Sequence, residues 1–184
     1  MTQDGRRWPE REKLMTIYRL LEMAVADGLC GFYPVPGTSF LVRTVVDALG
    51  EWSCIVDALE EEGVVLCTSF FPVKAAGERG PEVRRLVAEL NSLCCAGVFD
   101  VYGDDCRVVF QMPVGVEELG AKGVEMVARA VRRHMLFVEF QIPLFQSVEC
   151  GVSSVSEVVD GLVRRLSGRS AGNQDRLVGF FSRN

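Results

Sequence analysis

Pro81-Glu-Val-Arg-Arg-Leu-Val-Ala-Glu-Leu90-Asn-Ser-Leu-Cys-Cys-Ala-Gly97-Val-Phe-Asp-Val-Tyr102-Gly-Asp-Asp105-Cys-Arg-Val-Val-Phe110-Gln-Met112 changes its period twice. Pro81 suits a first helical turn, and Val83, Leu86, Val87, Leu90 and Cys94 follow at steps of one, three and four. That stripe predicts a helix ended by Gly97. From Val98 the spacing shortens to two. Val98 to Tyr102 and Cys106 to Met112 read as a hairpin around Gly103-Asp-Asp105. In its second strand Cys106, Val108, Phe110 and Met112 share one face, and Arg107, Val109 and Gln111 the other. A helix feeding an antiparallel hairpin points to an α+β fold.

Upstream, three strands are expected at Phe40 to Leu49, Trp52 to Leu59 and Val64 to Phe71. In the second, Trp52, Cys54 and Val56 face one way and Ser53, Ile55 and Asp57 the other. Gly63, after Glu60-Glu-Glu, can take positive φ in a turn. Pro72 to Gly80 is a loop. Before the strands, Leu14, Ile17, Tyr18, Leu21 and Val25 make a helical stripe within Pro9 to Leu29. Downstream, Val124, Val127, Val131, Met135, Val138 and Ile142 mark a long helix over Val116 to Ile142, which Pro143 should end or kink. Ser154-Val-Ser-Glu157 is a capping box for a last helix through Leu166. The expectation is a five-stranded antiparallel sheet with helices packed on it, in the order α-βββ-α-ββ-α-α. Residues 1–168 form one domain and 169–184 a tail, which Leu177, Val178, Phe180 and Phe181 could dock on the body.

Composition narrows the function. Of 184 residues 48% are hydrophobic, which supports a core, and the formal charge is −5. An acidic chain is poorly suited to broad nucleic-acid binding. No stretch reaches the length needed to span a bilayer, and no signal-like run follows Met1–Trp8, so a cytoplasmic protein is expected. The seven cysteines, at 30, 54, 67, 94, 95, 106 and 150, contain no C-x-x-C, and reduced, buried thiols are the expectation.

No catalytic constellation stands out. His134 is the single histidine, within a helical stripe beside Ala130 and Phe137, and no G-x-S-x-G exists. Phosphate-cradling glycine loops are absent too. No enzyme, metal or cofactor is expected. The candidate partner-binding residues are Phe32, Tyr33, Phe70 and Phe71, aromatics at element ends, and the basic pair Arg84 and Arg85.

A further pattern runs through Phe71-Pro72-Val73, Glu82-Val83-Arg84, Leu90-Asn91-Ser92, Ala96-Gly97-Val98-Phe99-Asp100-Val101 and Arg107-Val-Val-Phe110. It resembles the YbjN-domain family of small bacterial proteins, over roughly residues 38–166. Asn91, Gly97 and Phe99 form its structural motif, with the Asn91 amide placed to bond carbonyls at the helix end or the following strand. The chain departs from the plainest pattern in its tail, its cysteine-rich second helix and Cys94 where a second asparagine would stand. The resemblance implies a fold like that of class I type III secretion chaperones, which are acidic cytoplasmic dimers. It carries no catalytic residues. The expected function is a non-enzymatic, homodimeric protein-binding module, chaperone-like or regulatory, with a protein or peptide client. The alternatives are a small-ligand sensor with a pocket between sheet and helices, and a type III secretion chaperone proper.

Overall fold

A computed structural model describes residues 16–26, 28–29, 31–117 and 120–167. The tail at 169–184 and the start of the expected first helix at Pro9 lie outside the described residues. The element order is α1 (Ile17–Ala26), β1 (Tyr33–Pro34), β2 (Phe40–Asp47), β3 (Gly50–Leu59), β4 (Val64–Lys74), α2 (Gly80–Leu93), β5 (Val98–Tyr102), β6 (Arg107–Gly115), α3 (Ala121–Glu149) and α4 (Val155–Ser167). The fold is α+β, with one antiparallel sheet in the order β1-β2-β3-β4-β6-β5.

The sheet has six strands, not five. The added one, β1, is two residues long and pairs Tyr33 with Val42 and Pro34 with Leu41. Proline donates nothing to a ladder, which is why so short a segment leaves no strand signature and stands at an edge. The inner face is a near-continuous apolar layer. Trp52, Cys54, Val56 and Ala58 of β3 are buried on it, with Val65, Cys67, Phe71 and Val73 of β4 and Val108, Phe110 and Met112 of β6. The described helices bury their stripes in the same core. Five rings interlock there: Phe99 lies 4.6 Å from Phe110, and Phe71 lies 5.4 Å from Phe145, with Phe137 4.7 Å from Phe110.

α1 is described from Ile17. Thr16 Oγ1 accepts the Arg19 N–H at 3.1 Å, an N-cap bond. Glu60, from the β3–β4 turn, reaches back across the sequence. Its two carboxylate oxygens accept the N–H groups of Ile17 and Tyr18, each at 2.9 Å. A carboxylate there also meets the positive end of the helix dipole. The acidic run is therefore more than a solvated turn. Gly63 in the same turn has φ +68°, as expected.

α3 runs through Pro143 rather than ending there. The ring is exposed, and the bond to the Glu139 carbonyl is forfeited. Phe145 and Val148 beyond it are buried, and the Gln146 side chain donates to the Leu49 carbonyl at 2.8 Å. Tertiary packing thus outweighs the local break. α4 has its capping box: Ser154 N–H donates to Glu157 Oε2 at 2.8 Å, and Glu157 N–H to Ser154 Oγ at 3.3 Å. The Ser154 N–H and the Ser154 hydroxyl, which also donates to Glu157 Oε2 at 2.8 Å, hold the Glu157 carboxyl below its usual range.

Candidate functional site on the outer face of the sheet

Strand pleating sends every second residue to the face opposite the helices. In an antiparallel sheet with one wet face those positions are normally polar. Here many are not. One row across the sheet reads Val42, Ile55, Thr68, Gln111, Val98, and the next Phe40, Asp57, Leu66, Pro113. A third runs Thr44, Ser53, Phe70, Val109, Asp100. Phe70 meets Tyr102 edge-on, with centroids 6.4 Å apart, and Val109 between those strands is only 3% exposed. Phe40, Val42, Ile55, Leu66 and Phe70 are half-buried and stand apart from the core cluster. The outer face therefore carries its own apolar patch, with Asp57 set between Phe40 and Leu66 and with Glu51 and Asp100 in the flanking rows.

The six residues expected to bind a partner do not form one surface. Phe70 lies on this patch, and Tyr33 is exposed on β1. Phe32 and Phe71 are 4% and 0% exposed and belong to the core, which corrects their reading as contact residues. Neighbours in a strand must point to opposite faces, so Phe70 and Phe71 could not both be surface. Arg84 and Arg85 sit on α2, in the layer behind the sheet. Arg84 Nη2 reaches Cys106 Sγ at 3.3 Å, and Arg85 pairs loosely with Glu89 at 4.0 Å. Val42 and Leu66 are not among the six. Their signal is apolar residues at positions that strand parity sends away from the helices.

Asn91 bonds the strand that follows it. Its Nδ2 donates to the Phe99 carbonyl at 2.8 Å, and Phe99 N–H donates to its Oδ1 at 2.7 Å. Gly97 has its own reason: a Cβ there would run into the Gln111 carbonyl and the Phe110 ring. Phe99 itself is 1% exposed.

The core holds one polar chain. Ser69 Oγ and His134 Nε2 are 2.8 Å apart, and Cys54 hydrogen-bonds to Ser69. The His134 ring stacks on Phe110. All three are 0% exposed, so no reactant can reach them. Burial pushes His134 down to about 3 and the Cys54 thiol up to about 12, the opposite of an activated pair. Trp52 Nε1, His134 Nδ1 and both amide atoms of Gln141 are buried without a partner. The cysteines are not uniformly buried: Cys54 and Cys67 are, but Cys95 and Cys150 are exposed.

Among the described residues no cluster of three or more histidine, cysteine or acidic side chains could hold a metal ion. None of the described helices is long and apolar enough to cross a membrane. An open cleft of about 450 Å³ lies between sheet and helices, lined by Cys95, Ala96, Met112, Pro113, Val114, Ala130 and Arg133. Another of about 310 Å³ separates α3 from α4. No protein-family model, curated protein or solved structure matches the chain.

Proposed function

We propose that the protein is a non-enzymatic protein-binding module, chaperone-like or regulatory, that holds a protein or peptide client on the outer face of its sheet and acts as a homodimer. The apolar patch around Val42, Ile55, Leu66 and Phe70 carries this reading. Half-buried apolar side chains in adjoining strands offer an extended segment a row of shallow contacts, without demanding one sequence. The order α-ββββ-α-ββ-α-α differs by the added β1 from the α-βββ-α-ββ-α-α expected beside the YbjN resemblance, and a cytoplasmic location goes with that reading.

The test is suppression of aggregation of a thermally unfolded protein by the full chain. Ile55→Lys and Phe70→Glu should each abolish it while leaving the circular dichroism spectrum unchanged. Suppression that survives both substitutions removes the outer face as the binding site.

A second reading, a small-ligand sensor, draws on the 450 Å³ cleft beside Met112 and Arg133. A thermal-shift screen in which a metabolite stabilises the chain and Ala130→Trp cancels the effect would favour it.

A further inference from the structure

The two edges of the sheet are treated differently. On β5 most of the backbone groups that face away from β6 are taken. Phe99 gives both its N–H and its C=O to Asn91, and the Val101 N–H donates to the Asp100 carboxylate at 2.7 Å. A strand arriving there finds the sites occupied.

On β2 they are not. Ala58 N–H donates to the Ser39 carbonyl at 3.0 Å, and Val35 N–H to the Phe40 carbonyl at 3.3 Å. Strand alternation therefore turns Leu41, Arg43, Val45 and Asp47 toward β3 and Phe40, Val42, Thr44 and Val46 toward the edge. β1 covers this edge only at Leu41 and Val42. Gly31, at φ +83°, then takes the chain out of line. Beyond it Thr44 and Val46 present their N–H and C=O groups outward, and the Val46 side chain is 76% exposed.

We infer that the open stretch Arg43–Asp47 of β2 is the face by which two copies of this chain pair, edge to edge and antiparallel, with Val45 opposite Val45 of the partner subunit. This register alone uses all the open groups. Thr44 falls opposite Val46 of the partner subunit, and Val46 opposite Thr44 of the partner subunit. Each of these symmetry-related pairs exchanges both of its backbone hydrogen bonds. A shift of one residue in either direction at the axis sets one open residue against the stretch already held by β1, or against the turn at Ala48.

The same register decides the charges. Arg43 falls opposite Asp47 of the partner subunit, and Asp47 opposite Arg43 of the partner subunit, so both cross-strand pairs join opposite signs. Arg43 lies 6.0 Å over the Phe32 ring, which fixes its stem at the edge. Asp47 uses Oδ1 on the Leu49 N–H at 2.8 Å. Its Oδ2 is the oxygen the pairing would engage. Joined so, the two six-stranded sheets become one, and their outer apolar faces run together. The inference rests on the homodimer part of the proposed function and supplies its face.

The experiment is sedimentation velocity of the full chain at micromolar concentration. The unaltered chain should sediment as a dimer. Val46→Pro removes an N–H that the monomer's ladder does not use and should give a folded monomer. Arg43→Asp sets acid against acid, and Asp47→Arg base against base. Each should weaken the dimer about tenfold or more. Mixed in equal amounts, these two variants place opposite charges across both pairs, and the heterodimer should return. If Val46→Pro does not fold, the charge variants and their mixture decide alone. A monomeric unaltered chain, a dimer that persists in both charge variants, or a mixture that stays monomeric overturns the inference. A monomer would not touch client binding, which Phe70→Glu tests separately.

Discussion

The two faces of the sheet carry similar side chains to different ends. The inner face sets Phe71, Phe99 and Phe110 against Phe137 and Phe145 of α3. Every ring there is enclosed, and the polar atoms are few and internally bonded or orphaned. The outer face has Val42, Ile55, Leu66 and Phe70, with no membership of that core. Area alone would make both stabilising. What separates them is what covers them: helices on one side, water on the other. The inner face uses its apolar surface for the fold, and under the proposed function the outer face keeps its own for contact.

That contrast can be broken at several points. The largest effect should come from Phe110→Ala, which empties the centre of the ring cluster and should destabilise by about 4 kcal/mol in chemical denaturation. A loss below about 1 kcal/mol would mean that the inner face is far looser than its ring distances indicate. Asn91→Ala leaves the Phe99 N–H and C=O unpaired at the sheet's closed edge and should lose about 2 kcal/mol. Faster amide exchange at Phe99 would show that the edge had opened.

His134 makes the inner face acid-sensitive. Its native value is about 3 against about 6.5 unfolded. Between those values the unfolded chain takes up a proton that the native one refuses. Its contribution is thus fully present above about pH 6.5 and declines as pH falls toward 3, with a slope of about 1.4 kcal/mol per unit. His134→Gln should flatten that part of the stability–pH profile relative to the unaltered chain; equal slopes would count against a neutral buried ring.

Gln141→Met should move the other way. Both amide atoms are buried and unpartnered, so a thioether of similar length should gain about 1 kcal/mol in thermal unfolding. The smallest stability change should be at Phe70→Ser, under about 1 kcal/mol, because only half-buried surface is lost. A loss as large as that of Phe110→Ala would erase the distinction between the faces.

Legibility in the sequence followed the range of the forces involved. α2, the β5–β6 hairpin and the Ser154–Glu157 box are set by neighbours within a few residues, and they stand close to where periodicity places them. The start of α1 depends on Glu60, 43 residues away, which no local pattern carries. Pro143 is a strong breaker locally, yet Phe145 and Val148 hold the helix beyond it. β1 exists only because β2 lies beside it. The candidate site was half legible. In Trp52–Leu59 the alternation exposes Ile55 as outward, but Val64–Phe71 is apolar almost throughout, so its parity, and with it the choice between Phe70 and Phe71, waits on the neighbouring strand.

The Glu60 clamp has a consequence for the order of synthesis. α1 is ten residues long, too short to persist alone in water. It is made before the other described elements, but the carboxylate that caps it follows some forty residues later, and α3, against which it packs, begins about sixty residues after that. While β2, β3 and β4 can zip as successive hairpins, α1 has nothing to lie on. Of the described elements the earliest made is thus among the last to settle, and until α3 arrives much of the inner face of the growing sheet stays open.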